Sequence, residues 1–436
     1  MEPIPELLQS KKHLIVIGGG AAGFFCAINA ARLQPMLRVT LVEKTSKLLS
    51  KVRVSGGGRC NVTHACFEIS NLVKKYPRGQ RFLKKSFHLF NTTQCVEWFG
   101  QRGVVLKTEA DGRMFSITDS SQTIIDCLLR EANKYGVEIL MNCEVKRIKN
   151  SFRHQRDKIQ NEENLFELEF ANGDITEANY LCVACGGYPK SSMYDWLLAM
   201  GHSIQQPVPS LFTFNMPNNP VQALMGVSVE KVTVKIVGSK LEEDGPLLIT
   251  HWGMSGPAIL KLSAWGAREL AEKNYHFTLL INWLPQYNEQ ILRDNWQSIR
   301  TQHAAQKTGN RNPFGLPSRL WVYLLNQSGI NEDIRWAEIP AKEQNRLIKN
   351  LVAQEFEVKG KTTFKEEFVT CGGINLSEID PQTMQSKVIP HLYFAGEIMD
   401  VDGVTGGFNF QHAWTSGWIA ATAIAFNGKN KSEDTQ

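Results

Sequence analysis

The stretch His13-Leu14-Ile15-Val16-Ile17-Gly18-Gly19-Gly20-Ala21-Ala22-Gly23 decides the fold of this chain. Its first five residues form an apolar, mostly β-branched run, which predicts a short buried strand. The glycines fit the pattern G-x-G-x-x-G at Gly18, Gly20 and Gly23, and a helix rich in Ala and Leu is predicted from Phe24 to Leu33. A second apolar run over 38–42 ends at the acidic residue Glu43. This order predicts a parallel β–α–β unit.

Each part of this unit has a physical role in binding a dinucleotide. The first glycine permits a tight turn, the second lets the backbone approach a pyrophosphate, and the third lets the helix pack on the strand. The pyrophosphate then lies at the positive end of the helix. Glu43 can accept hydrogen bonds from ribose hydroxyls. An ordinary glycine-rich turn in an α/β protein is the alternative, and it leaves Glu43 unexplained.

Length and composition set broad limits. A chain of 436 residues predicts two or three domains, and 42% hydrophobic with 21% charged residues is typical of a soluble globular protein. No apolar run is long enough for a membrane span, and the acidic, proline-containing start does not resemble a signal peptide, so we expect a cytoplasmic protein without membrane contact. The nine scattered cysteines are expected to be reduced thiols, and the net charge of +5 is mild.

A second glycine-rich stretch follows, Ser55-Gly56-Gly57-Gly58-Arg59-Cys60-Asn61. Bare backbone N–H groups without side-chain bulk suit a loop pressed against a ligand. Arg59 is a candidate contact for a phosphate or a flavin edge, and Asn61 for a ring amide. A flexible surface loop is the alternative.

The middle of the chain contains further predicted strands. Residues 136–140 predict a third strand, and Val145 just after it is a candidate adenine contact. The polar residues 150–164 predict an exposed hairpin tip before a half-buried strand at Phe166–Phe170. A buried strand from Tyr180 ends at the turn Gly186-Gly187. No metal site is predicted at the CxxC pair Cys182 and Cys185, because residues three apart on a strand point to opposite faces.

The C-terminal piece repeats the pattern of strand, acid, glycines and helix. A strand over 391–395 precedes Gly396-Glu397, Asp400 and the loop Gly406-Gly407-Phe408-Asn409-Phe410-Gln411, and a helix is predicted from about His412 to Phe426. A second such element at the chain end favours FAD over NAD, because FAD is long. Asp400 could bind ribitol hydroxyls, and N–H groups near Gly407–Asn409 could stabilise negative charge on a reduced flavin.

Four motifs together resemble the YhiN/BaiN-type flavoproteins, whose members are labelled NAD(P)/FAD-dependent oxidoreductases. They are the two glycine stretches already quoted, Thr250-His251-Trp252-Gly253-Met254-Ser255-Gly256-Pro257, and Gly396 through Gln411. The resemblance implies FAD, flavin contacts at 55–61 and 406–411, and ribose contact at Glu43. The chain departs from the family pattern over 190–196, so no contact is carried over there.

The resemblance also implies an α/β fold in which both chain ends build a Rossmann-like FAD-binding domain with two insertions. We predict residues 1–200 and 366–436 for that domain, 201–285 and 356–365 for a β-rich inserted domain, and 286–355 for a helical inserted domain. The predicted cofactor contacts are Gly18, Gly20, Ala21, Ala22, Gly23, Glu43, Lys44, Ser55, Gly56, Gly57, Gly58, Arg59, Cys60, Asn61, Val145, Ala184, Gly186, Gly187, Gly396, Glu397, Asp400, Gly406, Gly407, Phe408, Asn409 and Gln411.

The expected activity is hydride transfer between flavin N5 and a small organic substrate. No second G-x-G-x-x-G lies between 150 and 390, so NAD(P)H, where it is the donor, is expected to dock only transiently. The alternative is direct oxidation of a substrate, with oxygen or another acceptor closing the cycle, and the sequence does not choose between reductase and oxidase or between NADH and NADPH. His251, His412, Cys60 and Cys371 are weighed as catalytic groups, but structural roles are favoured and none is assigned.

Two alternatives remain: an FAD-dependent tRNA-modifying enzyme and a non-catalytic flavin-binding protein. A nucleic-acid partner is disfavoured because the cations are interspersed with acids. The sequence leaves the substrate and the oligomeric state open.

Overall fold

The computed structural model describes residues 12–150, 166–362 and 369–426. The start of the chain and nearly all of the predicted hairpin tip at 150–164 therefore lie outside the described residues. None of the helices in these ranges combines the length and apolar character that a membrane span requires. The chain divides into two compact units, Met1–Val208 with Val369–Gln436, and Pro209–Phe368. The three predicted domain ranges stay a prediction.

The first unit begins with the predicted β–α–β arrangement and ends with a long helix. Its first segment contains the following elements: β1 His13–Ile17, α1 Ala21–Leu33, β2 Arg38–Val42, α2 Ser50–Gly58, β3 Thr63–His64, α3 Ile69–Leu72, α4 Gln80–Phe87, α5 Thr92–Gly100, β4 Leu106–Thr108, β5 Arg113–Ser116, α6 Ser121–Lys134, β6 Glu138–Leu140, β7 Val145–Asn150, β8 Phe166–Phe170, β9 Ile175–Ala178, β10 Tyr180–Val183, α7 Asp195–Ala199 and β11 Ile204–Ser210.

The second unit is an antiparallel sheet with helices, after which the chain returns to the first unit. The elements of the second unit are β12 Thr213–Asn215, β13 Ser228–Ile236, β14 Glu242–Thr250, β15 Gly253–Ser255, α8 Pro257–Trp265, α9 Ala267–Glu272, β16 His276–Asn282, α10 Glu289–Gln302, α11 Ser318–Ser328, α12 Ala341–Val352, β17 Gln354–Lys359 and β18 Lys361–Thr362. The returning segment contains β19 Val369–Ile374, β20 Leu392–Phe394 and α13 Phe408–Phe426.

A parallel sheet organises the first unit. Among the described residues its strand order is β20-β10-β1-β2-β6, and every neighbouring pair is parallel. Strand β1 lies at the centre, and β20 comes from the far end of the chain. The predicted fold class, an α/β Rossmann-like domain that both chain ends build, is confirmed. Strands β7, β8 and β9 form a separate antiparallel sheet.

The core of the first unit lies where α1 packs against α13. The helices approach closely at Gly417, where a Cβ atom would lie 2.6 Å from the carbonyl oxygen of Ala22. Beside this contact the fully buried ring of Phe25 packs on Trp98 and Trp414, with ring centroids 4.4 and 5.3 Å away. Burial of one such side chain contributes about 1.5–3 kcal/mol, so this aromatic cluster holds the two chain ends together.

The second unit has a seven-stranded antiparallel sheet in its described part, with the order β17-β16-β13-β14-β15-β12-β18. One hydrophobic core joins side chains of this sheet, such as Val234, to tryptophans of the helical segment, such as Trp321. The antiparallel sheet and the helices of the second unit therefore share one hydrophobic core.

Helices α8 and α9 are separated at Gly266, and β17 begins at Gln354, shortly after α12 ends at Val352. The prediction of the C-terminal helix needs correction at its start. Helix α13 begins at Phe408 rather than at His412, so the predicted loop residues 408–411 form its first turn.

Candidate functional site

The glycines of the first turn divide into packed and open positions. A Cβ atom on Gly18 would lie 2.5 Å from the carbonyl oxygen of Ala184, and one on Gly23 would lie 1.9 Å from that of Gly18. These two positions require glycine for close packing of strand, turn and helix. At Gly20 no heavy atom of the described residues lies within 4 Å of the Cβ position. Gly20 therefore borders open space.

That open space adjoins the N-terminus of α1. Gly20 is the N-cap residue, no side chain caps the helix, and the first turn contains no acidic residue. The N–H group of Phe24 donates to the carbonyl oxygen of Gly20 at 3.0 Å. The N–H groups of Ala21, Ala22 and Gly23 precede this first intrahelical bond and have no helical partner. Such a helix end can bind an anion through its N–H groups and dipole.

Glu43 lies beside the same turn, as predicted from its place after β2. One carboxylate oxygen accepts from the N–H of Gly19, and the other accepts from the N–H of Thr45, both at 2.9 Å. The Thr45 hydroxyl donates to the same oxygen, also at 2.9 Å. A carboxylate has about four acceptor sites, so one more hydrogen bond can be accepted here.

Lys44 and Val145 lie close to this carboxylate along the chain. The exposed Lys44 ammonium stands 5.9 Å from the ring centroid of Tyr188. The backbone N–H of Cys143 donates to the carbonyl oxygen of Glu43 at 2.8 Å, and Val145 follows at the start of β7. The predicted adenine contact Val145 therefore lies two residues after Cys143, whose backbone is hydrogen-bonded to the predicted ribose contact Glu43.

The second glycine stretch breaks helix α2. Ser55 leaves helical geometry with ψ near 148°, and Gly56, Gly57 and Gly58 have φ of 60°, 69° and 84°. This left-handed region favours glycine. A Cβ on Gly56 would lie 2.8 Å from the ring of Phe115, whereas Gly57 and Gly58 have no described heavy atom within 4 Å. The loop therefore presents bare backbone at two successive positions.

The Arg59 side chain is engaged within the protein. Its guanidinium donates to Glu109 at 2.6 Å, lies 3.6 Å from Asp119 and stacks 4.0 Å from the ring centroid of Phe115. These contacts hold the side chain, so the predicted phosphate or flavin contact of Arg59 would fall to its backbone.

Asn61 links the two glycine loops. In the amide orientation that satisfies both neighbours, its oxygen accepts from the N–H of Gly407 and its nitrogen donates to the carbonyl oxygen of Thr63, each at 3.0 Å. The Thr63 hydroxyl donates to the fully buried Gln411 at 2.6 Å. The side chains of Asn61 and Gln411 thus hold residues 61–63 against the start of α13.

Glycines of the C-terminal segment lie close to the start of α1 and to the residues after the second glycine stretch. A Cβ on Gly396 would lie 2.8 Å from the Cβ of Ala22, and the N–H of Gly396 donates to the Ser416 hydroxyl at 2.8 Å. Gly406 and Gly407 have φ of 128° and 93°. A Cβ on Gly407 would lie 2.6 Å from the backbone of Thr63. The first turn, the broken helix and the C-terminal loop therefore meet within one unit.

The remaining predicted contacts lie along β10 and β20. The N–H of Ala184 donates to the carbonyl oxygen of Ile17 at 2.8 Å. Gly186 is open, whereas a Cβ on Gly187 would lie 2.6 Å from the Thr370 hydroxyl. Glu397 accepts from the N–H of Thr370 at 2.8 Å and pairs with Lys51. The N–H of Asp400 donates to the carbonyl oxygen of Ile374 at 3.1 Å, which fixes Asp400 beside β19.

The first turn of α13 is held by side chains on both sides. The Asn409 amide accepts from the N–H of Gly403 at 2.8 Å and donates to its carbonyl oxygen at 3.0 Å. The ring of Phe408 stacks on His64 with centroids 4.7 Å apart. These contacts fix the loop 401–407 that leads into the helix.

The groups weighed for catalysis have structural surroundings. His412 is buried beside the carbonyl oxygen of Gly396 at 3.2 Å, and burial lowers the pKa of its imidazole to about 4. Burial raises the pKa of the Cys60 thiol to about 12, and Cys371 is fully buried. His251 is exposed and belongs to the second unit. The pKa values of His412 and Cys60 therefore lie far from neutral pH, which does not suit either group for proton transfer there.

Several residues that hold the site were missed by sequence reasoning. The Tyr76 hydroxyl donates to the carbonyl oxygen of Phe408 at 2.7 Å, and Arg78 pairs with the fully buried Asp402. The indole of Trp414 donates to the carbonyl oxygen of Val62 at 2.9 Å. These partners lie more than three hundred positions apart in the sequence, so no local pattern could have indicated them.

Four glycines of the predicted cofactor motifs border open space, where a ligand could approach the backbone: Gly20, Gly57, Gly58 and Gly186. Other glycines of the same motifs, such as Gly18, Gly56 and Gly187, are packed against protein. N–H groups that precede the first intrahelical hydrogen bond of a helix can face a negative charge, at α1 and at α13 alike. No cluster of potential metal ligands is found in the described part of the chain.

Comparisons with known proteins agree with this architecture. A family model described as HI0933-like protein Rossmann domain matches residues 12–423. The ribosomal RNA dihydrouridine synthase of Escherichia coli (strain K12) is 31% identical over 418 residues, which cover 93% of this chain and 96% of that protein. The 3-dehydro-bile acid delta(4,6)-reductase of Clostridium scindens is 26% identical over 420 residues, covering 94% and 98%.

A solved structure shares the fold. The 3-ketosteroid-delta4-(5alpha)-dehydrogenase from Rhodococcus jostii RHA1 superposes with a TM-score of 0.50 at 12% identity, over 96% of this chain and 98% of that one. This likeness supports the architecture alone.

Proposed function

This chain belongs to the HI0933-like protein family, as the resemblance to YhiN/BaiN-type flavoproteins predicts, and from that premise we propose that it is an FAD-dependent reductase. Its substrate class is a ring carbon–carbon double bond conjugated to a carbonyl group, and the substrate we propose is uridine in ribosomal RNA. NAD(P)H is the proposed reductant.

The names of two relatives point to one kind of reaction. A dihydrouridine synthase saturates the double bond of the uracil ring, next to a carbonyl group. A delta(4,6)-reductase acting on a 3-dehydro bile acid reduces a double bond conjugated to the 3-oxo group. In each case one hydride and one proton are added across a polarised double bond. This shared chemistry supports the class of reaction for the present chain.

The observation that carries the choice of uridine is the 31% identity to the ribosomal RNA enzyme over nearly the full length of both proteins. Charge distribution along the sequence favours a small organic substrate over nucleic acid, and we propose the reverse order on the basis of this identity. A small unsaturated ketone is the second candidate, which the 26% identity to the bile acid reductase favours.

The proposed cofactor contacts follow the open positions of the site. The N–H groups at Ala21 and Ala22 would bind the pyrophosphate beside Gly20, and Glu43 would accept from the ribose. Bare backbone at Gly57 and Gly58 would lie against the flavin, and the N-terminus of α13 would stabilise negative charge. FAD, when bound, supplies two-electron hydride exchange at its N5 atom. His412 holds the loop and is not the proton donor, because its imidazole stays neutral.

The experiment uses the purified full chain with in vitro transcripts of ribosomal RNA, which contain no modified bases. The protein should be yellow, and heat should release FAD rather than FMN. Incubation with NADH or NADPH under anaerobic conditions should produce dihydrouridine, detected as a nucleoside two mass units heavier than uridine. A parallel reaction contains a steroid with a 3-oxo-4,6-diene.

The outcomes separate the two substrate classes. Dihydrouridine in the RNA supports the proposal, and reduction of the steroid alone would support the second candidate. A flavin that NAD(P)H reduces but that reoxidises with neither substrate would contradict both. A colourless protein that cannot be reconstituted with FAD would refute the flavoenzyme itself.

A further inference from the structure

A run of basic residues without acids stands out in the first unit. Between Ile69 and Val96 the chain contains no Asp or Glu. Five cations of this run are exposed, and we call them the basic surface: Lys74, Lys75, Arg81, Lys84 and Lys85. The expectation that cations are interspersed with acids is wrong for this stretch.

Helix α4 presents three of these cations on one face. Arg81, Lys84 and Lys85 occupy positions i, i+3 and i+4, which adjoin on a helix. The opposite face, with Phe82, Leu83 and Phe87, is buried and packs within the unit. The helix is therefore anchored by its apolar side, and its basic side is turned to solvent.

The charges of the basic surface are not neutralised by ion pairs. Within the described ranges, none of the five cations lies within 4.0 Å of a carboxylate oxygen, whereas neighbouring Arg78 pairs with Asp402. Five like charges on one short segment repel each other, which costs folding free energy unless a polyanion compensates. Their accumulation therefore points to an anionic partner.

The basic surface is fixed to the loop that precedes α13. The N–H of Val404 donates to the carbonyl oxygen of Lys75 at 2.9 Å. Tyr76 donates to the carbonyl oxygen of Phe408, as described above, and a Cβ on Gly79 would lie 2.8 Å from Val401. The segment that carries the basic surface is therefore in direct contact with the loop at the proposed flavin end of the site.

We propose that the basic surface binds the phosphate backbone of ribosomal RNA and so brings the target uridine to the flavin. This inference rests on the proposed function, because it names the contact through which that substrate is held. A series of regularly spaced phosphates matches several separate cations, and phosphate contacts position a nucleic acid without reading its sequence.

An anionic membrane is the other polyanion that such a surface could meet. An interfacial helix, however, inserts its apolar face into the lipid. In α4 that face is already buried in the protein, with Leu83 and Phe87 at 0% exposure. The structure therefore favours RNA over a lipid surface.

The test compares two triple variants of the full chain with equal loss of charge. The first is Arg81→Gln, Lys84→Gln and Lys85→Gln. The matched control is Lys134→Gln, Lys231→Gln and Lys342→Gln, which removes three exposed cations outside the basic surface. Flavin content and melting temperature are measured first, and binding to labelled ribosomal RNA transcripts is then titrated at several salt concentrations. Phosphatidylglycerol vesicles serve as the second probe.

The expected result is a change in salt dependence. Log affinity falls linearly as log salt concentration rises, and each phosphate contact makes this slope steeper by about 1. The slope of the first variant should therefore be less steep than that of the wild type by about 3. At physiological salt this corresponds to a loss of roughly a hundredfold in affinity. The control should retain the wild-type slope, and both variants should keep wild-type flavin content.

The outcomes distinguish this inference from the proposed function. Equal RNA binding by both triple variants would overturn the basic surface, even if the wild-type protein forms dihydrouridine. Loss of RNA binding in the first variant only, without dihydrouridine formation by the wild type, would support the basic surface and contradict the proposed reaction. Loss of vesicle binding with unchanged RNA binding would overturn the inference in favour of a membrane.

Discussion

Replacing Gly20 by alanine tests whether the open space at the first turn holds the cofactor pyrophosphate. Gly20 has φ of −93° and ψ of −173°, an extended conformation that alanine also adopts. No heavy atom of the described residues lies within 4 Å of the added methyl position. The substitution therefore places a methyl group in the open space without a clash inside the protein.

The two effects of Gly20→Ala differ in size. As the N-cap of α1, glycine is better than alanine, so the apoprotein should lose no more than about 1 kcal/mol of unfolding free energy. A bound pyrophosphate would be displaced from the N–H groups of Ala21 and Ala22. A hydrogen bond to a charged group contributes about 1.5–3 kcal/mol, and the loss of one therefore weakens FAD binding roughly tenfold to a hundredfold.

Two control variants make the result specific. Gly100→Ala adds a methyl at another open glycine with ordinary backbone geometry, at the end of α5, and should raise stability by no more than about 1 kcal/mol and leave flavin content unchanged. Gly23→Ala would place its Cβ 1.9 Å from the carbonyl oxygen of Gly18 and should destabilise the apoprotein by about 1–3 kcal/mol or more.

The assay measures FAD affinity by reconstituting each apoprotein, and stability by urea unfolding. Weak flavin binding with near-normal stability in Gly20→Ala is the expected pattern. An unchanged FAD dissociation constant for Gly20→Ala would refute the placement of the pyrophosphate at this helix end.

Three further predictions concern residues that hold the site. Arg78→Gln leaves the buried Asp402 carboxylate without its guanidinium partner and should lower the free energy of unfolding in urea by about 3–5 kcal/mol. The double variant Arg78→Gln/Asp402→Asn should recover part of this loss. Full stability of the single variant would contradict the prediction. Burial lowers the pKa of His412 from 6.5 to about 4, so as pH falls the unfolded chain takes up the proton before the folded protein does. The free energy of unfolding should therefore fall by up to about 3 kcal/mol between pH 6.5 and about pH 4. His412→Gln should remove that part of the pH dependence, which unfolding curves across this range would detect. Burial raises the pKa of Cys60 to about 12, so iodoacetamide at mildly alkaline pH should leave this thiol unlabelled in the native protein, and labelling seen by peptide mapping would exclude such an environment.

Short-range patterns predicted the elements of the first unit well. The apolar run at His13–Ile17, the glycines and the helix to Leu33 were all visible in consecutive residues, and the structure has them in that order. The return of the chain end to the first domain was implied by the family resemblance, and the structure pairs β20 with β10 in the same sheet. Local periodicity suffices where each element buries one continuous apolar segment.

The side chains of the site were less predictable than its backbone. The ligand contact of Arg59 stays a prediction, and the sequence did not indicate that its guanidinium donates to Glu109, fifty positions further along the chain. Gln411 is likewise held by Thr63 from the other end of the sequence. A sequence motif gives the spacing of glycines along the backbone, whereas the direction of a long polar side chain depends on partners that only the fold brings near. The same reason explains why the Arg78–Asp402 pair was missed.

Charge is informative here as a local distribution, which the average over the chain conceals. A net charge of +5 in 436 residues indicates little about partners. Nucleic acid binds to a local arrangement of cations, and its affinity depends on how many phosphates are neutralised at one surface. Helix α4 concentrates cations on one face because its other face must bury Phe82, Leu83 and Phe87. The amphipathic helix thus brings the cations of this segment close together on one surface. That surface lies beside the loop of the proposed flavin site. If that surface binds RNA, the sequence feature that indicates this partner is the absence of acidic residues over 69–96, and not the total charge.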